Sequence, residues 1–264
     1  MGLPSSVQLQ VDVRGVATLM LDRPEKHNAL DADLIEALHA AVIKIGSDPH
    51  IRVVVLAGAG KSFCAGADLA HMRRMATAPA DENVRDALAL AACLHAVANL
   101  GPPVLARVHG NVFGGGVGLV CCADIAIAAS QARFCLSEVR LGLAPAVISP
   151  FLLASIGQRQ MGRLMLTAAS IDAAQALAIG LIHRHVDAAE LDEAVEQEVA
   201  LLLQGAPQAQ RSAKRLLREL AGPNDAEREA SSARHAAELS RLRAAPEGVE
   251  GLRAFLEKRK PGWG

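Results

Sequence analysis

Residues 104–122 read Val-Leu-Ala-Arg-Val-His-Gly-Asn-Val-Phe-Gly-Gly-Gly-Val-Gly-Leu-Val-Cys-Cys, with three consecutive glycines near the centre of the run. The residues Val104 to Val108 are typical of a buried strand, and the small apolar residues after Gly116 favour the start of a helix. Glycines at a helix N-terminus expose amide groups at the positive end of the helix dipole, with no Cβ in the way. The run therefore predicts a strand, a turn and a helix that together hold an anionic oxygen.

A second junction of this kind lies earlier in the chain. Val53–Ala57 is predicted to be a buried strand, the loop Gly58–Asp68 consists mostly of small residues, and a helix is predicted over Leu69–Met75. Each junction can direct one amide group at the same oxygen atom. Together they predict an oxyanion site with two donors.

Three other glycine motifs do not match these loops. Gly60-Lys61-Ser62 ends like a phosphate-binding loop, but Val55 occupies the position of the required first glycine. Phe63 occupies the third glycine position of the dinucleotide fingerprint that would begin at Gly58. Neither junction contains the G-x-S-x-G sequence of a nucleophile elbow. Nucleotide binding and an acyl-enzyme nucleophile are therefore not expected here.

The order of predicted elements indicates an α/β fold. A hairpin is predicted over Val7–Val13 and Val16–Leu21, and a helix with an Asp N-cap is predicted over Asp31–Ser47. Strands near 53–57, 104–108 and 124–129 alternate with helices over 81–100 and 116–122, which favours parallel pairing.

The last third of the chain has a different pattern. Segments 190–204, 207–220 and 225–244 are rich in helix-favouring residues and contain no strand candidates. We therefore divide the chain into a core, residues 1–189, and a helical region, residues 190–264. A polar helical region of this kind is expected to pack on the core or on a neighbouring subunit.

Four segments resemble, in order and spacing, the crotonase (enoyl-CoA hydratase/isomerase) superfamily, and the resemblance extends over essentially the whole chain. The segments are Leu21-Asp-Arg-Pro-Glu-Lys-His-Asn-Ala-Leu30, Phe63-Cys-Ala-Gly-Ala-Asp-Leu69, His109-Gly-Asn-Val-Phe-Gly-Gly-Gly116 and Phe134-Cys-Leu-Ser-Glu-Val-Arg-Leu-Gly-Leu143. The resemblance implies a spiral of repeated ββα turns with a C-terminal helical region, and subunits that form trimers or hexamers through such helices.

The resemblance also implies a set of site residues. The main-chain amides of Ala67 and Gly115 would hold the thioester oxygen of an acyl-CoA and stabilise an enolate. Coenzyme A would enter as part of the substrate, so no separate cofactor is expected. The residues implied in substrate and CoA binding are Lys26, Ala29, Leu30, Ala65, Gly66, Asp68, Leu69, Gly114 and Gly118.

The side-chain chemistry departs from the family pattern. Typical hydratases have two glutamates, of which this chain keeps Glu138 and has Gly118 at the other position. A single carboxylate must serve as both acid and base in turn, or share the proton with water. The alternative is a structural Glu138 that pairs with Arg140 or caps a helix.

These residues leave several functions open. The first is a lyase that adds water to an enoyl-CoA; the others are an isomerase or another enolate reaction, and a catalytically weak acyl-CoA-binding homologue. Gly142-Leu-Ala-Pro-Ala-Val-Ile-Ser-Pro-Phe151 replaces the commoner G-x-x-P-G-x-G-G-T run and resembles hydratases of methylglutaconyl-CoA and related branched esters. Candidate cations for a substrate carboxylate are Arg140, Lys61, Arg73 and Arg74.

Composition excludes some other classes. The 264 residues include one Trp, five Phe and no Tyr, and the net charge is −1, so neither stacking platforms nor a basic surface for nucleic acid is expected. The five cysteines and nine histidines lack the spacing of a metal site. The sequence shows neither a membrane span nor a leader peptide, so a cytoplasmic protein with reduced thiols is expected.

Overall fold

The computed structural model describes residues 6–220 and 225–263. The residues outside the described ranges are 1–5, 221–224 and 264. Residues 1–5 belong to the predicted region 1–189, and the others belong to the predicted region 190–264. The strands are β1 (Val7–Val11), β2 (Val16–Leu21), β3 (Val53–Gly58), β4 (Val104–Val108), β5 (Asn111–Phe113), β6 (Ile125–Ala129), β7 (Arg133–Cys135), β8 (Ile171–Asp172) and β9 (Arg184–Val186). The helices are α1 (Ala32–Ser47), α2 (Leu69–Thr77), α3 (Ala80–Ala98), α4 (Gly115–Cys122), α5 (Ser149–Thr167), α6 (Ala173–Ala178), α7 (Leu191–Gln204), α8 (Pro207–Leu220), α9 (Asp225–Ala244) and α10 (Pro246–Leu256).

Two sheets form the framework. The larger has six strands in the order β1-β2-β3-β4-β6-β9, in which only the β1–β2 hairpin is antiparallel. The smaller has the order β5-β7-β8, with β5 and β7 parallel. β4 pairs with β6 in the large sheet, and β5 pairs with β7 in the small one. In both sheets, strands that follow one another along the chain therefore lie side by side.

The chain repeats one unit along these sheets. β4 leads into β5 and then α4, and β6 leads into β7 and later α5. β3 is followed by single-residue bridges at Cys64, which pairs with Val112 of β5, and at Ala67, which pairs with Leu30. Each unit therefore consists of a long strand, a short strand or bridge, and a helix, which is the predicted ββα repeat.

The hydrophobic core lies on both faces of the large sheet. On one face, Leu56 and Ala106 pack with residues of α1, α3 and α4 in the main core. On the other face, Val55 and Leu105 pack against α7, whose buried residues include Val195. Alternating strand residues point to opposite faces of the sheet. Consecutive residues of β3 and β4 therefore belong to the core clusters on opposite faces.

Most of the long predicted elements are confirmed, including the antiparallel hairpin, the three central strands and helix α1 with Asp31 as its N-cap. The short strands β5, β7 and β8 were not predicted, because two or three residues are too few for a periodic pattern. Helices α5 and α10 were also absent from the prediction. No helix within the described ranges has both the length and the apolarity needed to cross a bilayer.

The C-terminal helices pack on the rest of the same chain. α7 covers the large sheet, α9 lies along α3, and α10 contacts both α2 and the segment after β7. An ion pair between a buried lysine and an exposed aspartate fixes α8: Lys214 Nζ lies 2.5 Å from Asp124 Oδ2 and donates to the Pro102 carbonyl. The helical region thus completes the structure around the elements that form the site.

Candidate active site

The two glycine junctions are joined by main-chain hydrogen bonds. The Phe63 amide donates to the His109 carbonyl at 2.9 Å, and the Cys64 amide donates to the Asn111 carbonyl at 3.2 Å. In return, the Phe113 amide donates to the Cys64 carbonyl at 3.0 Å. The loop that precedes α2 therefore pairs with β5 as an additional strand, which brings the two predicted donor segments together.

The geometry of Ala67 leaves its amide pointing outward. The Leu30 amide donates to the Gly66 carbonyl at 2.7 Å, and the Asp68 amide donates to the Leu30 carbonyl at 2.9 Å. In this parallel bridge the residue between the two bonded groups directs its own N–H away from Leu30. Ala67 is exposed, so its amide is accessible to a ligand.

Gly115 is the first residue of α4, where the helix offers no acceptor for its amide. Gly114 before it has φ 47° and ψ −116°, a conformation that favours glycine. The Gly114 carbonyl accepts from Val117 and Gly118 at 2.9 and 3.2 Å and so starts the helix. Across the described ranges, no main-chain carbonyl accepts a hydrogen bond from the amide of Ala67 or Gly115.

The absence of side chains allows the two turns to touch. A Cβ atom placed on Gly114 would lie 3.9 Å from the Gly66 Cα, and one placed on Gly66 would lie 3.2 Å from the Phe113 carbonyl oxygen. A Cβ on Gly115 would lie only 2.7 Å from Leu30 Cδ1. The two free amides therefore belong to turns in direct contact, as an oxyanion hole requires.

Glu138 lies beside the same turns. It begins a 3₁₀ turn, Glu138–Leu141, that follows β7, and β7 pairs with β5 through Cys135 and Phe113. A Cβ placed on Gly114 would lie 3.1 Å from Glu138 Oε1. The structure thus brings the predicted acid/base carboxyl against the glycine that precedes α4.

One oxygen of the Glu138 carboxyl is buried without a partner. Among the residues that the structure describes, Oε2 is excluded from solvent and has no hydrogen-bond partner. Burial raises the pKa of Glu138 to about 7, against the opposing effect of a hydrogen bond from its own amide. Arg140 donates instead to the Ala168 carbonyl at 2.9 Å, and no ion pair involves Glu138 among the residues that the structure describes. A carboxyl with a pKa near neutrality is suited to transferring protons in both directions.

The volume beside Gly118 is filled. Gly118 is buried in α4, and a Cβ placed on it would lie 2.5 Å from Ile148 Cγ2 and 3.6 Å from Leu94 Cδ1. Ile148 stands at a glycine position of the commoner G-x-x-P-G-x-G-G-T run. The isoleucine therefore occupies the space into which a residue-118 side chain would project, and Gly118 packs on the core at this point.

The predicted CoA-binding residues cluster near the start of α2. Asp68 caps this helix by accepting from the Ala70 and His71 amides at 2.9 and 3.0 Å. Lys26 Nζ lies 3.5 Å from Asp68 Oδ2 and 3.9 Å from Asp31 Oδ2. Burial opposes ionisation, but the His71 amide and Lys26 keep the pKa of Asp68 below its usual value.

The remaining predicted contacts join the first loop to the second. The Ala65 amide donates to the His27 carbonyl at 3.0 Å, while Ala29 and Leu30 are buried and Leu69 is exposed. All these residues lie on the two segments that are bridged at Leu30 and Ala67.

The other candidate cations lie on the surface. Lys61, Arg73 and Arg74 are exposed, and Arg74 Nη2 lies 3.3 Å from His71 Nδ1. Within the described residues, no group of three or more His, Cys, Asp or Glu side chains is placed to hold a metal ion. The site is therefore described by main-chain donors and one carboxyl group.

Asn28 was not singled out in the sequence, although it lies within the segment Leu21–Leu30. It is fully buried, and its Nδ2 donates to the Ala59 and Ser62 carbonyls at 2.9 and 2.8 Å. Its Oδ1 accepts from the Arg23 amide at 2.8 Å. Asn28 thereby fixes the first loop to the second. Its left-handed φ of 54° suits Asn, but this conformation is not evident from sequence.

Comparison with known proteins identifies the family of this chain. A family model described as enoyl-CoA hydratase/isomerase matches residues 12–264. The chain is 34% identical over 247 residues to a crotonyl-CoA hydratase of Syntrophomonas wolfei, which covers 93% of both chains. It is 33% identical over 204 residues to a short-chain-enoyl-CoA hydratase of Clostridium acetobutylicum, covering 76% of this chain and 77% of that protein.

Solved structures of enoyl-CoA hydratases are also similar to this chain. The crystal structure of an enoyl-CoA hydratase from Mycobacterium avium superposes with a TM-score of 0.87 at 38% identity, over 99% of this chain and 100% of that one. An enoyl-CoA hydratase from Shewanella pealeana superposes with a TM-score of 0.80 at 39% identity, over 98% and 96% of the two chains. The chain belongs to the enoyl-CoA hydratase/isomerase family.

Proposed function

We propose that this protein is a lyase that adds water across the double bond of an α,β-unsaturated acyl-CoA. The observation that carries the proposal is the Glu138 carboxyl, which lies against the turn that presents the Gly115 amide and whose Oε2 is buried without a hydrogen-bond partner among the described residues. The free amides of Ala67 and Gly115 and this carboxyl provide the electrostatic and proton-transfer groups that the reaction needs.

In the proposed reaction the thioester oxygen accepts hydrogen bonds from the Ala67 and Gly115 amides. The Glu138 carboxylate takes a proton from water as the water oxygen forms a bond to Cβ. The π electrons of the double bond move toward the thioester, and the negative charge develops on its oxygen. The protonated Glu138 then delivers its proton to Cα, so that one water molecule has been added and the carboxylate is regenerated.

The packing of Gly118 supports the use of one carboxylate. Ile148 fills the space next to Gly118, so no second acid projects from this point of α4. Glu138, with a pKa near 7, is suited to act as base and then as acid within one turnover. Loss of the first family glutamate is thus compatible with hydration by a single group.

For binding, we propose that CoA lies along the segments that include Lys26, Ala29, Leu30, Ala65, Gly66, Asp68 and Leu69, with Gly114 and Gly118 near the acyl group. Lys26 supplies a positive charge at the exposed edge of these segments. The family resemblance and the bridge between Leu30 and Ala67 support this arrangement.

We propose a branched, methylglutaconyl-like acyl group as the preferred substrate. The support is the segment between Pro145 and Pro150, which is stiffened by its prolines and buries Ala146, Val147 and Ile148. A rigid apolar wall one helical turn from Gly115 favours an acyl group of defined shape. Equal kcat/KM on crotonyl-CoA and methylglutaconyl-CoA would contradict this preference.

The test is a spectrophotometric assay of the purified protein. Hydration removes the ultraviolet absorbance of the conjugated enoyl thioester, and the product gains the mass of one water. Isomerisation or another enolate reaction, which Glu138 alone equally permits, changes absorbance without that gain in mass. A homologue that only binds acyl-CoA changes neither, and either of these results would overturn the proposal.

We also propose that the protein is a cytoplasmic trimer or hexamer. All five cysteines are free thiols, as is usual in a reducing compartment. Leu216, Leu217 and Leu220 of α8 are exposed together, and a cluster of this kind favours burial against another subunit. Sedimentation of a stable, active monomer would contradict the assembly.

A further inference from the structure

Helix α10 contacts the turn of Glu138 without side chains in between. A Cβ placed on Gly251 would overlap the Leu141 carbonyl group and lie 2.9 Å from the Gly142 nitrogen. From the other side, a Cβ placed on Gly142 would overlap the Glu247 carbonyl and lie 2.7 Å from the Gly248 nitrogen. Main chain packs on main chain here, at the end of the turn that begins with Glu138.

The opposite side of α10 is equally constrained. A Cβ placed on Gly248 would overlap the Leu242 carbonyl near the end of α9, so α10 is held between α9 and the Glu138 turn. Glu250 on α10 binds Arg253 at 2.8 Å and Arg259 at 2.7 Å, which secures the following residues. Little free volume is therefore left for the turn to move toward α10.

We propose that Gly251 and Gly142 are positioning residues, whose close main-chain contact directs Glu138 toward the oxyanion amides. The inference rests on the proposed role of Glu138 and adds to it a source of orientation outside the catalytic segments. In this proposal the C-terminal helix α10 fixes the orientation of the Glu138 side chain, while the oxyanion donors are held in place by other contacts.

Glu138 needs such support because no other side chain among the described residues bonds to its carboxyl. Oε2 is without a hydrogen bond, and the neighbouring Arg140 is engaged by the Ala168 carbonyl. The turn's own hydrogen bonds, from Leu143 to the Glu138 carbonyl and from Gly142 to the Val139 carbonyl, are confined to the turn. The direction of the side chain therefore depends on what packs against the turn, which includes α10 at one end, Gly114 at the other and helix α5.

The deciding variant is Gly251→Ala, with Gly162→Ala as its control. Gly162 lies in α5, and a Cβ placed on it meets nothing within 4 Å. A displacement of about 1 Å of a catalytic group costs about 100-fold in rate. We expect Gly251→Ala to lower kcat for crotonyl-CoA by about 10- to 100-fold, with KM and CoA affinity within about twofold of wild type.

A folded Gly251→Ala protein whose kcat stays within about twofold of wild type would overturn the proposal, as would a fall in kcat matched by an equal loss of CoA affinity. Glu138→Gln tests the reaction itself: a fully active Glu138→Gln protein refutes the proposed function, whereas Gly251→Ala alone tests the positioning. The two variants therefore distinguish a failure of the proposed reaction from a failure of the proposed positioning.

Hydrogen exchange decides the case if Gly251→Ala does not fold. In Glu250→Gln, which removes the carboxylate that holds Arg253 and Arg259, exchange is expected to accelerate together in peptides 246–256 and 138–143. Acceleration of peptide 246–256 with peptide 138–143 unchanged would show that the turn does not depend on α10. That result would overturn the proposal.

Discussion

The proposed oxyanion half of the site and the proposed acid/base half are built in different ways. The Ala67 and Gly115 amides belong to turns joined by reciprocal main-chain hydrogen bonds through Cys64. Glu138 has one carboxyl oxygen without a hydrogen-bond partner among the described residues, and its surroundings come from Gly114, α5 and the C-terminal helix α10. The first half is therefore rigid by its own bonding, whereas the second depends on packing by distant segments.

Because of this difference, one substitution can affect the main-chain donors and another can affect the carboxyl group. A side-chain replacement cannot remove the oxyanion donors, but an added Cβ can push their turns apart. Replacing Glu138 removes the proposed acid/base group directly and leaves the main-chain pairing intact. Each half of the site can therefore be disabled by its own substitution, and the kinetics of the two variants can be compared with wild type.

The largest effect is expected from Glu138→Gln. The amide cannot take a proton from water, so kcat for hydration should fall by about 10²–10⁴-fold while CoA affinity is retained. Steady-state kinetics on crotonyl-CoA measures this. Glu193→Gln, an exposed change on α7 across the large sheet, serves as the control and should match wild type.

Next in size is Gly116→Ala, which acts on the oxyanion half. The added Cβ would lie 2.5 Å from the Cys64 carbonyl oxygen, at the point where the two turns pair. Loss of one donor is worth about 2.7–4 kcal/mol, so kcat/KM should fall by about 10²–10³-fold. Gly162→Ala controls for adding a methyl group to a helix. A folded Gly116→Ala enzyme with wild-type kcat/KM would show that the pairing is not required.

A smaller effect, on stability, is expected from Gly118→Glu. The new side chain meets Ile148, and overpacking should lower the free energy of unfolding by about 1–3 kcal/mol. Adding Ile148→Gly clears the volume and should recover part of this loss in urea denaturation. If the single variant is as stable as wild type, or if the second change recovers nothing, Ile148 does not fill this space.

The smallest effect is the pH dependence that comes from Glu138. Burial raises its pKa to about 7, so the required carboxylate is lost below this pH and kcat/KM should fall about tenfold per unit. The folded state holds the proton more tightly than the unfolded chain. The contribution of Glu138 to stability is therefore complete below about pH 4.5 and is lost as pH rises through about 7.

Comparison with Glu138→Gln isolates that contribution. The stability difference between wild type and this variant, measured by urea denaturation from pH 4 to 8, should shift against wild type as pH rises. A difference that is constant over this range would mean that the carboxyl is not buried as described.

The sequence was most informative where glycine spacing determines main-chain geometry. The runs at Gly58–Asp68 and Gly114–Gly116 indicated two junctions and two donors, because such turns tolerate few other residues. The order of strands and helices likewise predicted the parallel sheet. These features depend mostly on the local order of residues, and the structure agrees with the two junctions and with the parallel sheet.

Other features depend on contacts between distant residues and could not be read in this way. The fit of Ile148 beside Gly118 joins positions 30 residues apart, and the contact of Gly251 with Leu141 joins positions 110 apart. The two- and three-residue strands of the small sheet are too short for a periodic signal. Each of these features became visible only when tertiary packing was known.

The most direct test of the account is a crystal structure of Glu138→Gln with crotonyl-CoA bound, since this variant should bind the substrate and convert it about 10²–10⁴-fold more slowly. We predict that the thioester oxygen lies about 2.7–3.1 Å from the amide nitrogens of both Ala67 and Gly115. A thioester oxygen that contacts neither amide, or only one of them, would contradict the account.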